Sequence, residues 1–581
     1  MQKPHLNKLI SLLLIVLLLG ANPALAQSEK SEQNSRRPSE QQTSATKSDS
    51  SSLENEEQRA INAASGEAGE EVQDGGWPFV QNLRNSSFPA GNCLRPARMT
   101  RLVYYSEGIR YQETGAIRTC ASPITPYDSR PNFRSFAIWQ PAAQPGDESW
   151  NDQSSSVPAV GAAKPPVKAG NPMSEELNRH MPGWLKMNGE YRMRFETKSG
   201  QRGVAGSDDS YFLSRFRLSM TMKPSEQWTL FIQGQDSHVF GFATQPPPSN
   251  LDNNFDLRQA YLDYRSGGKQ GWAVRIGRQE FKYGDERVIG ASDWSNTARS
   301  FDAIKVSAFG SKYALDLFAS SVVVSEDGVF DKHRDGQNLY GLHATFPTLV
   351  PKAEVNVYTF WRTTPLVSGE RSSRGDSDTV TLGTRLAGKL PMKFDYTMEA
   401  MLQRGSFALD RVRAYAFHGR LGYTIRQDYW TPKLLIEYNQ SSGDENPNDG
   451  VRGTYDQLFP TNHSKYGIDD VVGFRNLENL RLGFALQPNK RTKIEGDYHS
   501  FWLTQVRDGL YNEQGNLITR NTAGAAGKHV AQEADLQFTY TPKEYLSFGA
   551  VYAHWFPGEY WKATTKGAPG SSVYTYATYR F

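Results

Sequence analysis

A chain of 581 residues that is 38% hydrophobic, with a mean hydropathy of -0.62 and a net charge of +3, has the averages of a soluble protein, and its charge selects no partner. Beyond residue 26 it has no run of about 20 apolar residues, which excludes a transmembrane helix there. Aromatics at 12% together with 50 Gly fit another class with the same averages, the membrane β-barrel, whose polar lumen face hides its lipid face from any hydropathy mean.

Lys3 and Lys8 lead into "LISLLLIVLLLG", and "ALA" ends at Ala26. A charged start, an apolar stretch and a small-x-small site predict a signal peptide over residues 1–26, and so an exported chain. The apolar run is short for a membrane anchor, and no Cys follows Ala26 to carry a lipid. Residues 27–75, rich in Ser, Glu, Gln and Ala, read as a disordered linker. Residues 76–183 mix aromatic clusters ("RLVYY", "FAIWQ") with Pro-rich stretches and hold both cysteines, Cys93 and Cys120. An oxidising compartment predicts a disulfide between them, in a periplasmic subdomain or a stapled linker.

From Trp184 the pattern turns monotonous. In "WLKMNGEYRMRFE", Leu185, Met187, Tyr191, Met193 and Phe195 share one parity, while Lys186, Glu190, Arg192, Arg194 and Glu196 share the other. A strand sends alternate side chains to opposite faces, so this ribbon has one apolar and one charged face. The same pattern recurs in "FLSRFRLSMTM", "TLGTRLAG", "LRLGFALQ" and "LSFGAVYAHW". Short joints such as "LPMK" alternate with long loops such as "TQPPPSNLDNNFD", which is the barrel arrangement of periplasmic turns and exterior loops. The fold class predicted for residues 184–581 is all-β, a transmembrane antiparallel barrel of about 18 strands, wide enough for an aqueous channel. Met193 and Phe195 then face lipid, and Arg192 and Arg194 face the lumen. The last strand, "SSVYTYATYRF", ends on Phe581 and resembles the C-terminal signal of outer-membrane barrels.

Inward parity places Arg192, Arg194, Arg215, Arg217, Arg275, Arg362 and Arg385 on the lumen face of the earlier strands, and Arg420, Arg475, Arg481 and Lys493 on later ones. Glu190, Asp263, Glu354, Glu399, Glu437, Glu495, Asp497, Glu533 and Asp535 share that face. Two readings stand open. Arg–carboxylate pairs would brace the wall. An electropositive stripe would attract an anionic solute, which guanidinium groups grip in bidentate fashion.

"YGDERVIGASDWSNTARSFDAIKV" (Tyr283 to Val306), "GTYDQLFPTNHSKYGIDDVVGFRNLENLRLG" (Gly453 to Gly483) and "DYHSFWL" (Asp497 to Leu503) resemble the alginate-export family. So do "GQDSHVFG" (Gly234 to Gly241), "DLRQAYLDY" (Asp256 to Tyr264) and "HVAQEADLQFTY" (His529 to Tyr540). The resemblance runs in order from Trp184 to Phe581. It implies an 18-strand barrel in the outer membrane of a Gram-negative bacterium, passing an anionic polysaccharide outward through a basic constriction. Arg192, Arg194, Arg215, Arg217 and Arg275 match the basic inner face of the early strands. The acidic inner face of later strands and the long segment before Trp184 depart from the family pattern.

Three loop motifs carry rival readings. "SGDENPNDG" (Ser442 to Gly450) offers oxygens for calcium but reads equally as a turn. "FPTNHSKYG" sets His463 beside Ser464, adjacent in sequence, which is not the geometry of a nucleophile and its base. "SDWSN" (Ser292 to Asn296) is placed to fold inward or cap the mouth. Phosphate loops, CxxC pairs and HExxH are absent from the sequence. The expected function is a channel for an anionic, alginate-like polysaccharide or oligosaccharide, without enzymatic activity, cofactor, metal or nucleic-acid partner. Arg192, Arg194, Arg215, Arg217, Arg275, Arg362, Arg385 and Arg481 are the expected pore-lining residues. Outer-membrane lipid and periplasmic secretion components complete the expected partners. The rivals are an uptake porin, a barrel plugged by its own loops, and an outer-membrane hydrolase using His463 or His499 with Ser464 or Ser500.

Overall fold

The computed structural model describes residues 97–105, 108–117, 171–200, 207–427, 430–565 and 567–581. The predicted signal peptide, the 27–75 linker and the Cys93–Cys120 disulfide lie outside the described residues, as does most of the 76–183 segment. Within that segment, β1 (Ala97–Tyr105) and β2 (Gly108–Ile117) form an antiparallel hairpin. Helix α1 (Pro172–Arg179) precedes the barrel.

The wall starts with β3 (Leu185–Ser199), β4 (Asp209–Met222), β5 (Trp228–Phe240), β6 (Asn253–Ser266), β7 (Gly271–Gln279) and β8 (Phe301–Phe309). It continues through β9 (Ala314–Val324), β10 (Lys332–Val350), β11 (Ala353–Ser368), β12 (Arg374–Leu390), β13 (Phe394–Phe407), β14 (Asp410–Thr424) and β15 (Lys433–Ser441). A two-residue strand, β16 (Val451–Arg452), lies parallel against β14. Then follow β17 (Leu477–Asn489), β18 (Thr492–Leu503), a loop hairpin of β19 (Gly509–Tyr511) and β20 (Leu517–Arg520), β21 (His529–Lys543), β22 (Leu546–Pro557), helix α2 (Glu559–Thr564) and β23 (Gly570–Arg580). Eighteen strands cross the wall, each antiparallel to its neighbours, and β23 pairs with β3 to close the ring.

The period-two pattern settles which face meets which medium. Arg192 and Arg194 are 1% and 3% exposed on the inner side, whereas Met193 and Phe195 stand at 39% and 43% on the outer. Ile304, Leu382 and Leu434 are likewise exposed around the outside. A continuous apolar belt of this kind is a lipid face. Strands meet at tight joints on one side (residues 351–352, 490–491, 544–545) and at long loops on the other (280–300, 442–476, 504–528), which makes the long-loop side exterior.

At the short-turn rim Gly189 and Phe581 exchange backbone hydrogen bonds of 2.5 and 2.9 Å across the closing seam. Helix α1 lies over that seam. Its cap, Asn171, binds the Arg580 carbonyl through Nδ2, and its Oδ1 accepts from the Tyr579 hydroxyl at 3.1 Å. Asn178 donates to the Met187 carbonyl at 2.7 Å and accepts from the Met187 amide at 2.8 Å. Met187 and Phe581 are buried together against Leu177 and Met181, so Met187 meets the helix although it lies on the outer parity.

The principal core sits inside the barrel. Phe281, Ile289, Phe318, Tyr358, Phe360, Tyr455, Phe474, Phe501 and Trp555 bury one another where the 280–300 and 442–476 loops fold into the lumen. The space predicted to be an aqueous channel is thus occupied, at this level, by the chain's own loops. Gly383 shows how tight the packing is: a Cβ there would sit 2.2 Å from the Tyr358 ring, whose hydroxyl donates to Glu399 at 2.6 Å. Gly383→Ala is expected to push the ring aside and cost about 1–3 kcal/mol. The loss should appear as a lower temperature for the folded-to-unfolded mobility shift on detergent gels, and an unchanged temperature would refute it.

Candidate functional site: an arginine wall holding an inward loop

Adjacent strands β3 and β4 pair Arg192 with Arg215 and Glu190 with Arg217, so their charged side chains converge on one inner patch. The 280–300 loop delivers Asp293, Trp294 and Ser295 to that patch. Arg192 donates to the carbonyls of Asp293 (3.1 Å), Trp294 (3.0 Å) and Ser295 (3.1 Å). Arg194 donates to the Trp294 carbonyl at 2.7 Å, and its guanidinium lies 4.2 Å from the centre of the Trp294 ring. Arg215 reaches the Asp293 carbonyl at 2.7 Å and Glu190 at 2.7 Å. Arg217 takes the Asp293 carboxylate at 2.6 Å. Burial pushes the Asp293 carboxyl up, but Arg217, Arg215, Lys282 and Arg192 together hold it well below the usual carboxylate range. Asp293 is therefore an anion at any physiological pH.

The loop is fixed at both ends of this contact. Asn296, fully buried, donates to the carbonyls of Ser214, His238 and Leu251. On the other side Ile289 bridges to Phe459, and the Glu286 carboxylate accepts from Thr461 at 2.7 Å. The Trp294 ring stacks on His463 at 4.0 Å, 6° from parallel. Arg287 reaches across to Glu437 (2.7 Å) and to the Tyr466 hydroxyl (3.1 Å). Glu286, Ser292 and Ala298 adopt positive φ, a conformation that residues other than Gly hold only where their surroundings impose it.

The other expected pore residues lie around the ring rather than with this quartet. Arg275 pairs with Asp263 at 3.1 Å, Arg362 with Asp456 at 2.6 Å, and Arg385 with Asp285 at 2.5 Å. Arg481 grips Asp497 with two bonds of 2.8 Å. Of the eight, Arg192 alone has no carboxylate within 4.0 Å among the described residues; its contacts are loop oxygens without formal charge. Arg475, expected on a strand, lies instead in the loop before β17, where it shares Asp456 with Arg362. Sequence reasoning missed Arg287, Glu286 and Arg299 as fasteners. The available signal was Val288, Ile289 and Trp294, too apolar for a loop wholly in water.

The remaining motifs have ordinary places. His499 points inward, with its Nδ1 3.3 Å from the Asn479 amide, while alternation turns Ser500 outward, so the two form no dyad. The His463 Nδ1 lies 2.8 Å from Asp470, and Ser464 makes no hydrogen bond to either histidine among the described residues. In "SGDENPNDG", Asp444 is buried beside Asp508 while Glu445 is exposed. No group of three acidic, His or Cys side chains is arranged to hold a metal ion among the described residues.

Burial, then the neighbouring Glu370 and Asp508, push the Asp444 carboxyl up to about 7. Its folded pKa thus exceeds its unfolded one. The stability it confers is full below about pH 4, falls as pH rises, and is gone once pH passes about 7. Amides of residues 442–454 should exchange about tenfold faster at pH 8 than at pH 5.5 after correction for intrinsic rates. Asp444→Asn should flatten that dependence; persistence of the slope in the variant would exclude Asp444 as its source.

Solved structures similar to this chain share little sequence with it. The outer membrane protein opdK of Pseudomonas aeruginosa is 10% identical with a TM-score of 0.49, covering 68% of this chain and 97% of that one. OccK2 (OpdF) of Pseudomonas aeruginosa is 10% identical with a TM-score of 0.48, again over 68% and 97%. OccAB2 of Acinetobacter baumannii is 11% identical with a TM-score of 0.46, over 68% and 97%. No curated protein matches. The family model described as alginate export matches residues 183–574, from the residue before Trp184 into the closing strand. With that match over well more than half its length, this outer-membrane β-barrel, a transport channel in kind, belongs to the alginate export family.

Proposed function

We propose that the chain conducts an anionic polysaccharide or oligosaccharide, alginate-like in its regularly spaced carboxylates, outward through the lumen. The observation that carries this reading is the arrangement of Asp293 and the carbonyls of residues 293–295 across Arg192, Arg194, Arg215 and Arg217. The loop offers the patch a carboxylate followed by a run of neutral oxygens, and a uronate chain carries the same groups. A polymer entering the lumen would replace these contacts one for one as the loop withdraws, each guanidinium holding a carboxylate and passing it to the next. Residues 27–183 would serve as a periplasmic arm for docking secretion components, with Cys93 and Cys120 joined.

The test is single-channel recording of the purified protein in a planar bilayer under a salt gradient, with polyuronate added to one side. An anion-favouring reversal potential and polyuronate block are expected in the parent. Replacement of Arg192, Arg194, Arg215 and Arg217 by Gln is expected to free the loop and raise conductance, yet abolish both properties. Cation preference in the parent, or block that survives the replacement, would mean that these arginines only brace the wall; the chain would then read as an uptake porin.

A further inference from the structure

We propose that Arg404, Arg411 and Arg413 form a site on the outer wall for the phosphates of the outer leaflet's glycolipid. The outward pairs of the β13–β14 hairpin, read from the short-turn rim, are Phe394/Tyr423, Tyr396/Leu421, Met398/Gly419, Ala400/Phe417 and Leu402/Tyr415. The next two are Arg404/Arg413 and Ser406/Arg411. Alternation therefore sets these arginines on the lipid-facing side, away from the lumen, and all three are exposed.

Their height follows from the register. From Phe394 to Leu402 the strand rises about 27 Å at about 3.4 Å per residue, or about 20 Å along the membrane normal at a tilt near 45°. The apolar band of such barrels is about 25 Å tall, so Arg404 and Arg413 stand at its exterior edge, one step above the exposed Tyr415. Along the same row lie Val380, then Trp361 and Tyr340, whose rings are 4.9 Å apart and mark the interfacial aromatic level.

No ion pair joins the arginines of this patch to a carboxylate among the described residues. Arg404 and Arg413 are directly opposed, a like-charge arrangement that by itself weakens a hairpin. Neither they nor Arg411 has an ion pair among the described residues, and the one polar contact of Arg404 is to its neighbour's carbonyl at 2.7 Å. Asp378, one register step away, is engaged by the Trp361 indole at 2.6 Å. Two other outward cations near this rim are matched, Arg278 by Asp302 and Lys528 by Glu478. In two other hairpins the step above the apolar pairs is neutral: Thr197/Ser210 and Ser500/Gln532. Three unpaired guanidinium groups at headgroup height, each able to fork onto two oxygens, fit a phosphorylated sugar headgroup.

The experiment uses the full-length purified protein, delipidated in mild detergent and titrated by native mass spectrometry. The probes are bisphosphorylated lipid A, its phosphate-free counterpart, phosphatidylglycerol and inorganic phosphate. Bisphosphorylated lipid A is expected to bind at least about tenfold more tightly than the phosphate-free form and than phosphatidylglycerol. The Arg404→Gln/Arg411→Gln/Arg413→Gln variant should lose that preference while keeping its conductance, because none of the three reaches the lumen. Arg413→Gln alone, which relieves the opposed charges, should fold normally and lose part of the preference. Equal binding by parent and variants, equal affinity for phosphatidylglycerol, displacement by millimolar inorganic phosphate, or a changed oligomeric state with lipid binding intact would each overturn the proposal.

Discussion

Asp293→Ala is expected to raise the fraction of time the channel conducts by about 30-fold. The Asp293 carboxylate meets Arg217 at 2.6 Å and Arg215 at 3.4 Å, and both arginines are almost wholly buried. Charge-assisted contacts of this kind contribute about 1.5–3 kcal/mol, and 2 kcal/mol shifts a two-state equilibrium about 30-fold. In the variant the inward position of the loop would leave Arg217 buried without an anion, whereas the withdrawn position would expose it to water and permeant anions. Opening gains and closure loses. Because the four arginines remain, the reversal potential should stay anion-favouring, which separates this variant from the fourfold Gln replacement. Unchanged conductance in Asp293→Ala would show that Asn296 and the aromatic packing hold the loop without help from the carboxylate.

Glu190→Ala is expected to destabilise the barrel by about 3–5 kcal/mol, the cost of stranding a buried charge by deleting its partner. Glu190 and Arg215 are both 0% exposed, 2.7 Å apart. The other carboxylate oxygen of Glu190 faces Arg580 at 3.3 Å, and among the described residues Arg580 has no other partner for its buried nitrogens. Deletion therefore leaves Arg580 uncompensated, and Arg215 with only the Asp293 carboxylate at 3.4 Å, next to Arg192 and Arg217. Urea unfolding in detergent, followed by tryptophan fluorescence, should show an earlier midpoint, with Glu190→Gln between parent and Ala. Equal midpoints for Ala and parent would mean that water reaches Arg215 in solution, contrary to its burial. Replacing Arg215 by Leu in the Glu190→Ala background should restore part of the loss, since a buried pair is tolerated better as two apolar groups than as one lone charge.

The wall was legible because a strand's period is local. Met193 and Phe195 against Arg192 and Arg194 declare two faces within four residues, and the medium on each side follows from composition. The inward course of the loops was not legible in the same way. Asp293 and Arg217 are 76 residues apart, and their pairing depends on where the ring brings β4 relative to the β7–β8 loop. Letters such as Asp285, Arg287 and Asp293 look alike in a solvated turn and in a lumen lined with opposite charge. The apolar residues between them carry the distinguishing information, since Ile289 and Trp294 have no reason to sit together in an exterior loop. Parity likewise set Arg385 and Arg481 on the inner face, but could not assign Asp285 to one and Asp497 to the other.

The seam at the short-turn rim has a consequence for the order in which the molecule is made. Asn171 binds β23 through the Arg580 carbonyl and the Tyr579 hydroxyl, while Asn178 binds β3 through both backbone groups of Met187. These two strands lie nearly 400 residues apart in the chain and become neighbours only when the ring shuts. Half of the docking surface of α1 therefore does not exist on an open sheet. The helix is a latch whose full docking surface exists only once β23 has paired with β3.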